Sequence, residues 1–156
     1  MRRFAVALFT LLGCAGCQLI AGNAADPLCG PLRTFAASVT PNVKREVVFY
    51  TSWGGGFKGE EDAFFAKRCV HDGYAPAKAV ADSLVESGAV EFSGNNAMRA
   101  VSCLSKDTHF AKRMKLDQGS FSFDYGTASH GAIVKVTFAE DATLGAMALH
   151  VTADGY

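Results

Sequence analysis

The chain has 156 residues, with fifteen basic side chains against fifteen acidic ones and 49% hydrophobic residues. That balance excludes a global basic surface for nucleic acid, and without Arg2 and Arg3 of the leader described below the mature protein would be slightly acidic. About 130 residues then remain, enough for one domain, residues 26–156, that buries its own core without a structural metal.

Residues 1–25 carry no acidic side chain and read as an export signal. Arg2 and Arg3 give a positive start, and the apolar run from Phe4 to Leu12 is far shorter than the roughly 20 residues of a membrane-spanning helix. Two cleavage chemistries compete. Small residues ending at Ala24 and Ala25 permit ordinary secretory cleavage before Asp26. Leu11-Leu12-Gly13-Cys14, by contrast, resembles the bacterial lipobox, and in this the chain is similar to small bacterial envelope lipoproteins. The resemblance implies cleavage before Cys14, lipid on that cysteine and a membrane anchor. It covers the N terminus alone and implies nothing about residues 26–156. Either route places the protein in the cell envelope on the periplasmic side, as an outer-membrane lipoprotein or a soluble periplasmic protein.

The cysteines bear on this choice. Removal up to Cys14, with lipid on it, leaves Cys17, Cys29, Cys69 and Cys103, an even set able to form two disulfides, whereas cleavage near Ala24 leaves three. The favoured pairing is Cys69 with Cys103, because both fall near ends of predicted helices.

Pro31 to Val39 predicts a short helix presenting Leu32, Phe35 and Val39, broken by Thr40-Pro41-Asn42. Glu46 to Trp53 is rich in β-branched and aromatic residues and predicts a strand, central because both of its alternations are apolar. Glu60-Glu61-Asp62 would charge the first turn of a helix carrying Phe65, Ala66, Cys69 and Val70 and stopped by Gly73. Pro76 opens a clearer helix, with Ala77, Val80, Ala81, Leu84 and Val85 on one face and Gly88 as its stop. Ser93 or Asn95 would cap a further helix through Ala97, Ala100, Val101 and Leu104.

Beyond it the period changes. His109 to Lys115 fits either a strand or a basic helix. Ser120 to Tyr125 alternates strictly, Ala132 to Phe138 does so with Ala132, Val134, Val136 and Phe138 inward, and Leu144 to Thr152 is a third strand of undetermined register. Short turns between them predict an antiparallel meander. The expected fold is α+β: an antiparallel sheet of about four to five strands with about three helices packed on one face, the other face polar.

The chemistry-bearing motifs are weak. Gly54, Gly56 and Gly59 match the G-x-G-x-x-G spacing, but a dinucleotide site needs a parallel strand after the helix, and here another helix is predicted. Cys69-Val70-His71 lacks a second ligand pair at metal spacing, so no metal and no cofactor are expected. Ser129-His130-Gly131 lacks the nucleophile-elbow pattern, and adjacent Glu60, Glu61 and Asp62 diverge around a helix axis. The basic stretch Lys106, His109, Lys112, Arg113 and Lys115 reads as a solvated face. Trp53, the sole tryptophan, stands beside a glycine-rich loop, so Trp53, Gly55, Phe57 and Lys58 form a candidate partner-binding site if exposed, although a strand-end aromatic also serves as a core plug.

No catalytic residue is assigned. The leading expectation is an exported envelope protein that binds another protein, as an inhibitor or immunity factor, with no nucleic-acid partner and with membrane contact only through lipid on Cys14. The alternatives are a small-ligand binder with a pocket near Trp53 and Tyr125, a hydrolase using His130 or His150, and a structural envelope component.

Overall fold

The computed structural model describes residues 26–156 apart from 62, 106 and 112. The expected export signal, with Cys14 and Cys17, lies outside these residues, as do Asp62, Lys106 and Lys112. The elements in chain order are α1 (Cys29–Ala37), β1 (Lys44–Trp53), β2 (Phe65–His71), α2 (Ala75–Ser87), α3 (Gly94–Leu104), β3 (Gly119–Thr127), β4 (His130–Asp141) and β5 (Ala146–Gly155). The strands form one antiparallel sheet in the order β2-β1-β5-β4-β3, giving the α+β class.

Alternation along the strands defines two faces. Val47, Phe49, Val134, Val136, Leu149 and Val151 point to one side and join Leu32, Phe35, Val80, Leu84 and Val101 of the helices in a single core. Pairing of Val47 with Val151 and of Phe49 with Leu149 fixes the register of β5 and places β1 in the sheet's interior. The opposite face carries Glu46, Tyr50, His150, Thr137, Lys135 and Asp124 and is largely polar. One corner of it is covered. Ser52 Oγ donates to the Gly56 carbonyl at 3.1 Å, and the Arg68 guanidinium lies 4.5 Å from the centre of the Phe57 ring, so the loop between β1 and β2 folds back over this face and buries Phe57.

The segment expected to be the first of three consecutive helices is β2. Phe65, Ala66, Cys69 and Val70 satisfy a helical spacing and also sit on a seven-residue strand, and periodicity over so short a run does not separate the two. Pairing decides it, because without β2 one edge of β1 would leave its backbone groups unpaired over Val47–Trp53.

Helix α1 starts two residues before the expected boundary, with Asp26 accepting the Leu28 N–H at 2.9 Å. Helix α2 buries Ala77, Val80, Ala81 and Leu84 as expected, but Val85 is exposed. Gly88 is the C-cap of α2, with extended backbone, and only a glycine fits there: an added Cβ would meet the Leu84 carbonyl at 2.3 Å and the Phe49 ring at 2.7 Å. Helix α3 buries the predicted face. Ser93 occupies its N-cap position but makes no side-chain capping bond. Asn96 instead secures the turn before it, accepting the Ala89 N–H at 2.8 Å and donating to the Ala89 carbonyl at 2.7 Å. His109 to Lys115, which fits either a strand or a basic helix by sequence, forms neither among its described positions.

The disulfide is Cys29–Cys103, not Cys69–Cys103. Cys103 lies in the last turn of α3 and Cys29 opens α1, with their Cα atoms 4.8 Å apart, whereas Cys69 stands on β2 as a free thiol. The error followed from placing Cys69 on a helix. The Cys29–Cys103 bond is compatible with cleavage before Cys14 and with cleavage near Ala24 alike, so the number of cysteines does not favour lipidation.

Candidate functional site

The most irregular end of the molecule is the one where β1 finishes and β5 begins. Four connections meet there: the loop after Trp53, the turn before α3, residues 113–118 and the β4–β5 turn. Between them runs a cleft of about 750 Å³, floored by Phe138 and Met147 and walled by Glu91–Asn95 on one side and Arg113–Asp117 on the other. A smaller recess of about 210 Å³ shares Glu91, Ser93 and Met147 with it and extends to Thr51, Ser52 and Trp53.

Large apolar side chains stand exposed around this end. Trp53 is 48% exposed, Phe64 70%, Phe65 52% and Phe92 59%, and Met114 adds a flexible thioether. Trp53 packs edge-on against Phe64 with ring centres 4.8 Å apart and faces Phe65 across the β1–β2 pair. Exposed aromatic and methionine side chains are thus concentrated at this end of the molecule. The charged rim is mixed, Arg113 and Lys115 alternating with Glu91, Asp117 and Glu140.

The four residues singled out from sequence therefore divide. Trp53 is exposed and belongs to this surface. Phe57 is 4% exposed and fixes the loop to the sheet, so the two aromatics do not act as a pair. Gly55 is partly exposed, and exposed Lys58 uses its backbone N–H to hold the Leu144 carbonyl at 2.8 Å. Phe64, Phe65, Phe92 and Met114 were missed. The first two were assigned to a helix, but Phe92 carried a usable signal: a large apolar residue within the polar turn Glu91–Ser93.

The other candidates are scattered. Gly54 and Gly59 adopt left-handed backbone angles, φ 77° and 85°, and Gly56 passes so close that a Cβ would meet the Glu61 carbonyl at 2.6 Å. These glycines shape a hairpin loop, and because β2 runs antiparallel to β1 the βαβ geometry of a dinucleotide site is not formed. Glu60 is paired with Arg68. Cys69 and His71 lie on the helix-facing side of β2, and among the described residues no group of three or more His, Cys, Asp or Glu could hold a metal. Burial first and the Asp82 carboxylate second push the Cys69 thiol up to about 12. Ser129 lies in the β3–β4 turn and His130 opens β4, paired with Thr127. His150 Nδ1 lies 3.0 Å from Glu46 Oε1 on the open sheet face, and its cross-strand neighbour is Thr137. The ring's other nitrogen meets no hydrogen-bond partner among the described residues. Tyr125, expected near Trp53, is at the opposite end of the sheet, because β3 runs antiparallel to β1.

No protein-family model matches the sequence, and no curated protein or solved structure shows significant similarity to it.

Proposed function

We propose that this chain is an exported, lipid-anchored envelope protein that binds another protein without catalysis and restrains it, as an inhibitor or immunity factor does. The observation that carries the binding part is the exposed aromatic surface at this end, where Phe92 lines the cleft, Trp53 lines the adjoining recess, and Phe64 and Phe65 flank Trp53. Solvating so much apolar surface at one end is unfavourable, and covering it with a complementary protein face recovers that free energy. The periplasmic, lipoprotein part rests on the Arg2-Arg3 start, the following apolar run and the Leu11–Cys14 box.

Comparative capture from envelope and culture extracts tests the binding part, with the full chain as bait beside Trp53→Ala and Phe92→Ala. The expected result is a reproducible partner whose affinity falls about thirtyfold in either variant, as for a central interface aromatic. A partner set unchanged by both substitutions overturns the assignment of this surface. Cys14→Ser tests the anchor: loss of membrane association is expected, and continued association with unchanged mobility rejects lipidation there.

The cleft itself favours a second reading, since about 750 Å³ over an apolar floor is the size of a small-molecule site. Native mass spectrometry separates the two. A small molecule retained at one equivalent and lost in Met147→Trp supports the ligand reading.

A further inference from the structure

The two edges of the sheet are managed differently. Edge strand β2 carries Lys67 and Arg68, and Lys67 Nζ donates to the Val85 carbonyl of α2, so charge and a helix end guard that edge. Edge strand β3, GSFSFDYGT, has neither lysine, arginine nor proline, the residues that ordinarily discourage strand addition. Among the described residues its outward backbone groups meet no partner, since none of the backbone hydrogen bonds outside the sheet ladders there involves residues 119–127. On the helix side Phe121, Phe123 and Tyr125 pack against the core but remain only partly buried.

We infer that β3 pairs antiparallel with β3 of a second copy of this chain, about a two-fold axis through Phe123, joining two five-stranded sheets into one of ten strands. The sequence of the strand selects the register. Centring on Phe123 uses all nine residues, sets Phe121 opposite Tyr125 of the second copy and brings the two Phe123 side chains together on the covered face. It also sets Asp124 opposite Ser122 of the second copy, and Ser122 is itself paired with Lys135 on β4. Asp124 and Lys135 are exposed, and neither forms an ion pair among the described residues. In the pairing they lie two strand spacings apart, about 10 Å between backbones, with only a serine between them, a gap that the lysine side chain spans. The contact occurs twice by symmetry. A centre at Asp124 would oppose the two carboxylates directly, and a centre at Ser122 would place Asp124 in line with uncharged Ser120 and Thr137. Charge complementarity therefore accompanies full strand overlap in one register only.

The test uses the full chain, co-expressed as two differently tagged copies with a photo-reactive benzoylphenylalanine in place of exposed Ser120, which faces Gly126 of the second copy in this register and leaves Ser122 unchanged. Irradiation is expected to give a species carrying both tags, and the probe placed at Thr143, in the β4–β5 turn, is expected to give none. Asp124→Lys should lower the yield about tenfold, because two attractive cross-strand contacts become repulsive. Adding Lys135→Asp to Asp124→Lys should restore it. Both substitutions are at exposed positions, and far-UV circular dichroism confirms that each variant folds. Absence of the double-tagged species overturns the proposal, as does a crosslink to other proteins alone. A double-tagged species indifferent to Asp124→Lys, or not rescued by the reversed pair, overturns it equally.

Discussion

Arg99 grips Asp26 with a two-pronged contact, Nε to Oδ2 and Nη2 to Oδ1 both at 2.7 Å, while the same guanidinium donates to the Ser87 carbonyl at 3.0 Å. One side chain thus ties the residue preceding α1 to the end of α2 and the middle of α3. The Arg99 hydrogen bond is the largest influence on Asp26; it outweighs the opposing effect of burial, and the carboxyl titrates below its ordinary range. A folded value below the unfolded one means that this contribution is complete above the unfolded pKa, near 3.8, and is lost as pH falls through the folded value. Asp26→Asn is expected to cost about 1 to 2 kcal/mol at pH 7, since the pair is partly solvated. Urea denaturation at several pH values checks it: the gap between variant and parent should narrow as the pH falls below about 3.8.

Reduction of Cys29–Cys103 should lower stability by about 4 kcal/mol, given the long loop that the bond closes. Replacing Cys69 with serine should cost about 1 kcal/mol or less. Alkylation followed by mass spectrometry distinguishes the two kinds of cysteine. Cys69 should resist the reagent in the native protein near neutral pH, because its thiolate is scarce when the pKa is about 12, and should react once the chain is unfolded. Since the native thiol holds its proton more tightly than the unfolded one, its contribution to stability is present below about pH 9 and fades as pH rises towards 12.

Gly88→Ala is expected to destabilise the fold by about 2 to 4 kcal/mol through overpacking. The new methyl would press on the Leu84 carbonyl and on Phe49 in the sheet. The double variant Gly88→Ala/Phe49→Leu should recover part of that loss, because removing the ring opens the space the methyl needs. Additive losses in thermal unfolding would count against this contact.

As the only tryptophan, Trp53 reports on its own surface. Its emission should be red-shifted and readily quenched by acrylamide in the free protein, and shielded once a partner covers the rim. Trp53→Ala should leave stability within about 1 kcal/mol of the parent, since nearly half of the side chain is already in water.

Long repeats of one period were legible in the sequence, and short ambiguous ones were not. The Ala77–Leu84 face of α2 and the alternation of β3 appear where the spacing places them, because each pattern runs long enough to exclude the other period. Residues 65–71 failed because their identity as a strand depends on the needs of β1, nearly twenty positions earlier, and no local pattern carries that information. Displacing Cys69 from a helix then displaced the disulfide. At the candidate site the sequence marked Trp53 but paired it with Phe57, whose burial under Arg68 depends on how the loop folds back. The surrounding Phe64 and Phe65, Phe92 and Met114 come from three separate stretches of the chain. Their gathering at one end is a property of the tertiary fold.

The pairing of Lys44 with Asp154 has a temporal consequence. Strand β1 is made early, yet one of its two neighbours is the last strand of the chain, so the middle of the sheet stays open until residues near the C terminus are available. A chain made N terminus first can form α1 and the β1–β2 hairpin early, but it cannot close its core. Folding of this chain therefore waits until the residues of β5 are available.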